Sequence, residues 1–536
     1  MGRQVEKGYL HRIKSLSYKE HYRLYLAILL LTFFLAHLAR NSFLGIHVDE
    51  ANWWMQTKYL QLGYFYHPPF IVYELFIITK IFGDGPLALR LGSLFFTTAS
   101  LYLVFLLVND IFKSEKLALI TTLMISLLPL TNYWVLIAHQ DAPLIFFWLL
   151  TIFFLWRAMV IEKKHYWYLA GLSSGAMLLT NLRSTLLFLG ALLFLLTTRK
   201  QRNWLKKKEP YLALLIAGAI FSPTFLWYAS HHFEPLTYQL SNRPGFLHNP
   251  FPTYILGLVK HAGWEALALT PFIYLFSLYG LIYGGYLGFV TKDQRFRYLF
   301  WLSAPMIILF GLTGGPPYWA FPGHTVALIA AANSLPLLPS KIRLRLSRKV
   351  WIPLFVGLFM LLPLACSFTF CYFYATTSTI HNGWKELAET LETVKENTEA
   401  GGELYLSGPY YFIPSEVCYY DREDFQGYTL AFRVYENKVM AENSNYSPWI
   451  PLETLVGKDM IFVDEKLNPD GYETPVSYWI EKLNPYFQRV ENPIILVEYR
   501  GEKTFRTFYI FVCHGFKGTD SRMDRKGEVR EYINRT

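Results

Sequence analysis

Charge is scarce in this chain: only 17% of its 536 residues are Asp, Glu, Lys or Arg, against 53% hydrophobic and 18% aromatic. A soluble protein of this length would form several domains with a more charged surface, so the shortage points to a chain embedded in a bilayer. Cysteine is sparse as well, at four copies. Cys366 and Cys371 fall in the last apolar run, while Cys418 and Cys513 lie in a polar tail. The tail pair is open to two readings, a disulfide if the tail is extracytoplasmic or two separate thiols. No GxxxxGK[ST] phosphate loop, dinucleotide fingerprint or HExxH zinc helix occurs, which argues against nucleotide-driven chemistry and against a zincin site. The first apolar run has no small-residue cleavage site after it, so it is expected to stay as an anchor.

Long apolar runs are what the chain does have. Segments near 22–39, 91–111, 117–138, 142–160, 211–229, 266–290, 298–313 and 350–374 each approach the ~20 residues that a helix needs to cross a bilayer. Weaker runs at 166–180, 184–198 and 318–338 bring the expected count to about eleven spans. With the N-terminus in the cytoplasm, 25 Lys and Arg residues fall on the inner side and six on the outer. That asymmetry is the positive-inside signature, so the net charge of +10 reads as topology and not as a nucleic-acid footprint. Residues 1–374 are expected to form a membrane domain, and residues 375–536 an extracytoplasmic α/β domain. In that tail, Gly383–Asn397 has helical spacing, and 404–406, 460–463, 494–499 and 508–513 read as strands, the last two a hairpin about Gly501-Glu502.

The polar clusters all fall on the outer side in this topology. The first outer loop, 41–87, holds Asp49, Glu50, Trp53, Trp54, Lys58 and the turn Tyr66-His67-Pro68-Pro69, with Arg90 opening the next run. Asp49–Leu62 and Phe70–Phe82 are expected to be helices lying in the membrane interface. An Asp-Glu pair after a helix is most often solvated or a cap, and Asp49 fits an N-cap. Beside a membrane, the pair also fits a base that takes an acceptor proton, or a ligand for a divalent cation. His67 reads as a packed ring or a phosphate contact, and Arg90 as a snorkelling side chain or a phosphate clamp. Arg183 sits at membrane depth, where lipid exposure would cost roughly 2.5–3.5 kcal/mol or more, so an anionic headgroup or a carboxylate such as Asp141 is its expected partner. Trp53, Lys58, His139, Asp141, His231 and Tyr318 are expected to line the pocket, since the spacing of these His residues matches no familiar metal motif.

Asp49-Glu50-Ala51 with Trp53 and Trp54, Gly63-Tyr64-Phe65-Tyr66-His67-Pro68-Pro69, Phe82-Gly83 and Arg90-Leu91 together resemble the first outer loop of the bacterial protein-mannosyltransferase-like membrane glycosyltransferases. These belong to the GT-C superfamily, which includes the lipid A aminoarabinose transferases. Asp141-Ala142-Pro143-Leu144, Ser222-Pro223 with Trp227 and His231, and Tyr318-Trp319-Ala320 resemble later landmarks in the same order. His67 stands where aminoarabinose transferases more often have lysine. The resemblance implies a polytopic helical GT-C fold and an inverting glycosyltransferase of the bacterial inner membrane. Its donor would be a polyprenyl-phosphate-linked sugar, its acceptor lipid A or lipopolysaccharide core, and its face the periplasm. Asp49 would be the loop acid with Glu50 beside it, and Tyr66, His67, Arg90 and Arg183 would hold the donor phosphate. No cofactor is implied beyond a possible divalent metal. Protein O-mannosylation is a rival activity; a flippase for lipid-linked sugars is another, which would want polar residues at the bilayer midplane.

Overall fold

Proline decides where several of the long apolar runs break. Proline has no N–H to donate and its ring clashes with the preceding turn, so it suits a first turn and ends whatever precedes it. The computed structural model describes residues 2–233, 236–237, 250–334, 383–397, 405–409, 412–421, 431–435, 438–442, 452–467, 476–500 and 503–518. The expected span at 117–138 is two helices, α5 (Glu115–Ser126) and α6 (Pro129–Tyr133), parted at Pro129. Asn132 Nδ2 donates to the carbonyls of Ser126 (2.9 Å) and Leu128 (2.8 Å), which gives the broken turn the donors it lost. The expected span at 266–290 likewise starts only at Pro271, because Thr270 at φ +69° turns the chain out of the preceding helix. The run at 350–374 lies outside the described residues.

Among the described residues, six helices are long and apolar enough to cross a membrane. They are the end of α1 (Gly2–Asn41), α4 (Pro86–Phe112), α7 (Asp141–Met159), α10 (Glu209–Ser230), α12 (Pro271–Phe289) and α13 (Gln294–Thr313). Shorter apolar helices include α9 (Thr185–Thr197) and α14 (Phe321–Ala332), and α8 (Tyr166–Thr180) and α11 (Phe251–Leu269) complete the helical part. The chain is thus a multi-pass membrane protein. Small residues let the helices touch: a Cβ on Gly280 of α12 would stand 2.1 Å from the Ala327 carbonyl of α14.

By contact the chain divides into two compact units, Met1–Phe43 with Gln61–Cys371 and Leu44–Leu60 with Tyr372–Thr536. The first contains the apolar helices and α3 (Phe70–Phe82), whose bounds follow the Pro68-Pro69 start and the Gly83 stop. The second contains α2 (Val48–Gln56), a stretch first expected to belong with the membrane helices. α2 is shorter than the expected Asp49–Leu62 helix, and its Trp53 and Trp54 are buried in protein (5% and 3% exposed) instead of facing headgroups.

The C-terminal segment contributes α15 (Trp384–Asn397), β1 (Tyr405–Ser407), α16 (Phe412–Tyr420), β2 (Ala431–Tyr435), β3 (Lys438–Glu442), β4 (Met460–Leu467), α17 (Val476–Leu483), β5 (Phe487–Val490), β6 (Ile494–Arg500) and β7 (Lys503–Phe516). β1 pairs with β4 in parallel, and the long β7 pairs antiparallel with β4 on one side and with β5 and then β6 on the other. The expected β6–β7 hairpin is present, with Arg500 opposite Lys503. Cys418 and Cys513 are buried free thiols, so the two-thiol reading holds; burial pushes Cys418 up to about 12.

Candidate functional site

In the helical unit, a buried ion pair gathers the polar residues. Asp141 opens α7, and Arg183 lies in the short 3-10 turn Leu182–Ser184 between α8 and α9. Asn181 fixes that turn by accepting from the Arg183 N–H at 3.1 Å. Arg183 Nη2 donates to Asp141 Oδ1, with the two side chains 7% and 2% exposed. Among the described residues Arg183 Nε and Nη1 have no hydrogen-bond partner, and neither does Asp141 Oδ2. Buried donors of this kind are costly to leave unmet.

Aromatic rings and two polar side chains frame the pair. His139 Nδ1 accepts from the Asp141 N–H at 3.2 Å, and its ring stacks on Trp134 at 4.5 Å. Tyr318 meets Trp134 edge-on at 5.1 Å and lies 6.0 Å from the Arg183 guanidinium. Gln140, between His139 and Asp141, contacts His67 Nε2 at 3.1 Å, which ties the Tyr66-His67-Pro68-Pro69 turn to the same corner. So Arg183, Asp141, His139, Tyr318 and His67 come together, with Tyr66 one residue away against Phe65.

Arg90 and His231 stand in other surroundings. Arg90 is fully buried and donates from Nη1 to the Asn41 carbonyl at 3.3 Å, which corrects the snorkelling reading and caps the end of α1. His231 stacks on Trp227 at 3.9 Å, and Trp227 Nε1 donates to Gln61 Oε1 at 3.1 Å. These contacts hold the residues just before the Pro68-Pro69 turn.

In the second unit, α2 shows how its two acids differ. His47, not Asp49, is the N-cap: its Nδ1 accepts from the Asp49 N–H at 3.1 Å, while the Glu50 carboxylate accepts from the His47 N–H at 2.8 Å. This is a capping box with His as the cap, and it consumes Glu50, which is fully buried. Asp49 keeps a side chain 35% exposed and is the more accessible acid. Lys58 Nζ lies over the Trp54 ring at 4.2 Å, and Trp54 in turn meets Tyr419 at 5.2 Å. Among the described residues no three His, Cys, Asp or Glu side chains are arranged to hold a metal, so the divalent-cation reading of Asp49 and Glu50 gains no third ligand.

Sequence reasoning missed Trp134, Gln140 and Asn181. Only Asn181 carried a local signal, a short polar side chain just before a new turn.

In fold the chain is similar to solved structures of two membrane-protein transferases, ArnT and AftD. ArnT from Cupriavidus metallidurans in the apo state superposes with a TM-score of 0.56 at 13% identity, covering 92% of this chain and 98% of that one. The same protein bound to undecaprenyl phosphate gives 0.58 at 12%, covering 90% and 97%. The arabinofuranosyltransferase AftD from Mycobacteria gives 0.52 at 13%, covering 93% of this chain and 40% of that one. Within the chain, residues 66–227 match the family described as Dolichyl-phosphate-mannose-protein mannosyltransferase. No curated protein matches by sequence.

Proposed function

We propose that the protein is an inverting glycosyltransferase that moves a sugar from a polyprenyl-phosphate carrier to a lipid acceptor, lipid A or lipopolysaccharide core, on the periplasmic face of a bacterial inner membrane. The observation that carries this reading is Arg183. It is a buried guanidinium held at one nitrogen by Asp141, with Nε and Nη1 lacking partners among the described residues. A guanidinium matches phosphate oxygens in shape and charge, and a phosphoester arriving there would supply the missing acceptors. A fold shared with an ArnT that binds undecaprenyl phosphate supports the same donor class.

In the proposed reaction the acceptor oxygen attacks the anomeric carbon from the face opposite the carrier. The new C–O bond forms as the bond from that carbon to the phosphate oxygen breaks, and the carrier leaves as polyprenyl phosphate. Asp49 takes the proton of a hydroxyl acceptor, or orients an acceptor that is already an anionic lipid phosphate. Arg183, with His67 and Tyr66, stabilises charge growing on the leaving phosphate. Arg90 supports the end of α1, and Glu50 holds the helix that carries Asp49.

A cell-free assay with radiolabelled carrier-linked sugar tests the proposal. Asp49→Asn and Asp49→Ala should abolish transfer, and unchanged transfer would remove Asp49 from the chemistry. The match of residues 66–227 to a protein mannosyltransferase family favours a second reading, in which the acceptor is a protein Ser or Thr hydroxyl. Label recovered in protease-digestible material, with none in extracted lipid, would select it.

A further inference from the structure

One carboxyl in the unit of Leu44–Leu60 and the C-terminal segment has no task in the reading above. Glu416 sits in the middle of α16, 0% exposed, and neither of its carboxyl oxygens has a hydrogen-bond partner among the described residues. α16 packs against α2, with Tyr419 of one helix against Trp54 of the other. The helix that carries Asp49 and Glu50 therefore rests on the helix that carries Glu416.

Four charged groups act on Glu416: Arg506 of β7 favours its ionisation, while Glu50 and Asp49 of α2 and Glu465 of β4 oppose it. The one cation among them is already engaged, since Arg506 Nη2 donates to Glu465 Oε2 at 2.5 Å and its guanidinium lies 3.8 Å over the Trp384 ring. Among the described residues, α15 and β1, which also pack against α16, bring no buried charge. The buried face of α15 is Trp384, Leu387, Ala388, Leu391 and Val394, and β1 buries Tyr405, Leu406 and Ser407. A carboxylate enclosed without a donor takes up a proton instead of remaining charged. Burial first, and then the acids of α2, hold Glu416 well above the usual carboxylate range.

We propose that Glu416 is a positioning residue for the step assigned to Asp49: an un-ionised carboxyl beneath α2 that lets a helix bearing two acids dock on the C-terminal segment. The proposal rests on the role given to Asp49 above. When Glu416 loses its proton, another negative charge appears beneath Asp49 and Glu50 with no donor to meet it, and α2 loosens from α16. The C-terminal segment thereby acts as a support for α2.

The test uses the full chain in lipid nanodiscs and does not need sugar transfer, so it succeeds or fails apart from the glycosyltransferase reading. An infrared difference spectrum between wild type and Glu416→Gln should show one un-ionised carboxyl C=O band at neutral pH that the variant lacks. Hydrogen exchange of the Ala51–Gln56 amides, taken as the wild-type to Glu416→Gln ratio at each pH, should climb about tenfold per pH unit above the free carboxylate value of about 4.3, where Glu416 would ionise once α2 opens from α16, and should level off as the band vanishes at alkaline pH. Absence of the band, or a ratio that stays flat across that window, overturns the proposal. If Glu416→Gln does not fold, Glu465→Gln serves instead: it frees Arg506 to ionise Glu416 and should erase the band, and a band that survives would contradict the account.

Discussion

Replacing Arg183 with lysine separates its structural task from its proposed chemical one. The pair with Asp141 is buried on both sides, so Arg183→Ala leaves a buried carboxylate alone and should cost about 3–5 kcal/mol of stability. Lysine keeps the charge beside Asp141 and should hold most of that stability. It cannot replace Nε and Nη1, the two donors without partners among the described residues. If those donors meet a leaving phosphate, losing them removes two charge-assisted hydrogen bonds at roughly 1.5–3 kcal/mol each. At about 1.4 kcal/mol per factor of ten, kcat/KM for the carrier-linked sugar should fall on the order of 10²–10⁴-fold. The assay is steady-state transfer alongside thermal unfolding in the same detergent. A lysine variant that unfolds like wild type and transfers within about threefold of it would refute the phosphate role and leave Arg183 as a brace for α7.

Three further outcomes follow from other parts of the chain. Glu50→Ala removes one half of the capping box and should cost about 0.5–2 kcal/mol by thermal unfolding, whereas Asp49→Asn should leave stability nearly intact and stop transfer. Gly280→Ala sets a Cβ 2.1 Å from the Ala327 carbonyl, a backbone atom that cannot swing aside, and should destabilise the α12–α14 contact by about 1–3 kcal/mol in the same assay. His514 donates to Asp459 at 2.9 Å and to Glu491 at 2.9 Å; partial burial lowers its pKa, but these two carboxylates outweigh burial and hold it above the usual value. A raised folded pKa means stabilisation that is full below the unfolded value, about 6.5, and is lost as pH rises through the folded one. His514→Gln should therefore flatten the stability profile of the full chain across that window, and an unchanged profile would show that the pair of carboxylates does not act on folding.

Features with a local cause were readable from the residues. α3 begins after Pro68-Pro69 and ends at Gly83 because both signals lie within its own stretch. The β6–β7 hairpin followed from two β-rich runs parted by Gly501-Glu502. The Arg183–Asp141 pair was legible because a guanidinium at membrane depth needs an anion, and Asp141 was a nearby outer-side choice. Features set by distant partners were not readable. The break at Pro129 lay inside an unbroken hydropathy signal, where apolar content masks a single missing N–H. The N-cap went to His47 because an imidazole nitrogen can accept from the first turn as a carboxylate does. That α2 groups with the C-terminal segment, with Glu416 beneath it, depends on residues more than 350 positions apart in sequence. No period or spacing announces such a contact.

The most direct check of the central claim is transfer from radiolabelled polyprenyl-phosphate sugar by the purified protein in proteoliposomes, with wild type, Asp49→Asn and Arg183→Lys side by side. The account predicts label in extracted lipid A with the wild type, none with Asp49→Asn, and a loss of on the order of 10²–10⁴-fold in kcat/KM with Arg183→Lys. Carrier lipid crossing the bilayer with its sugar still attached, at equal rates in all three proteins, would contradict it.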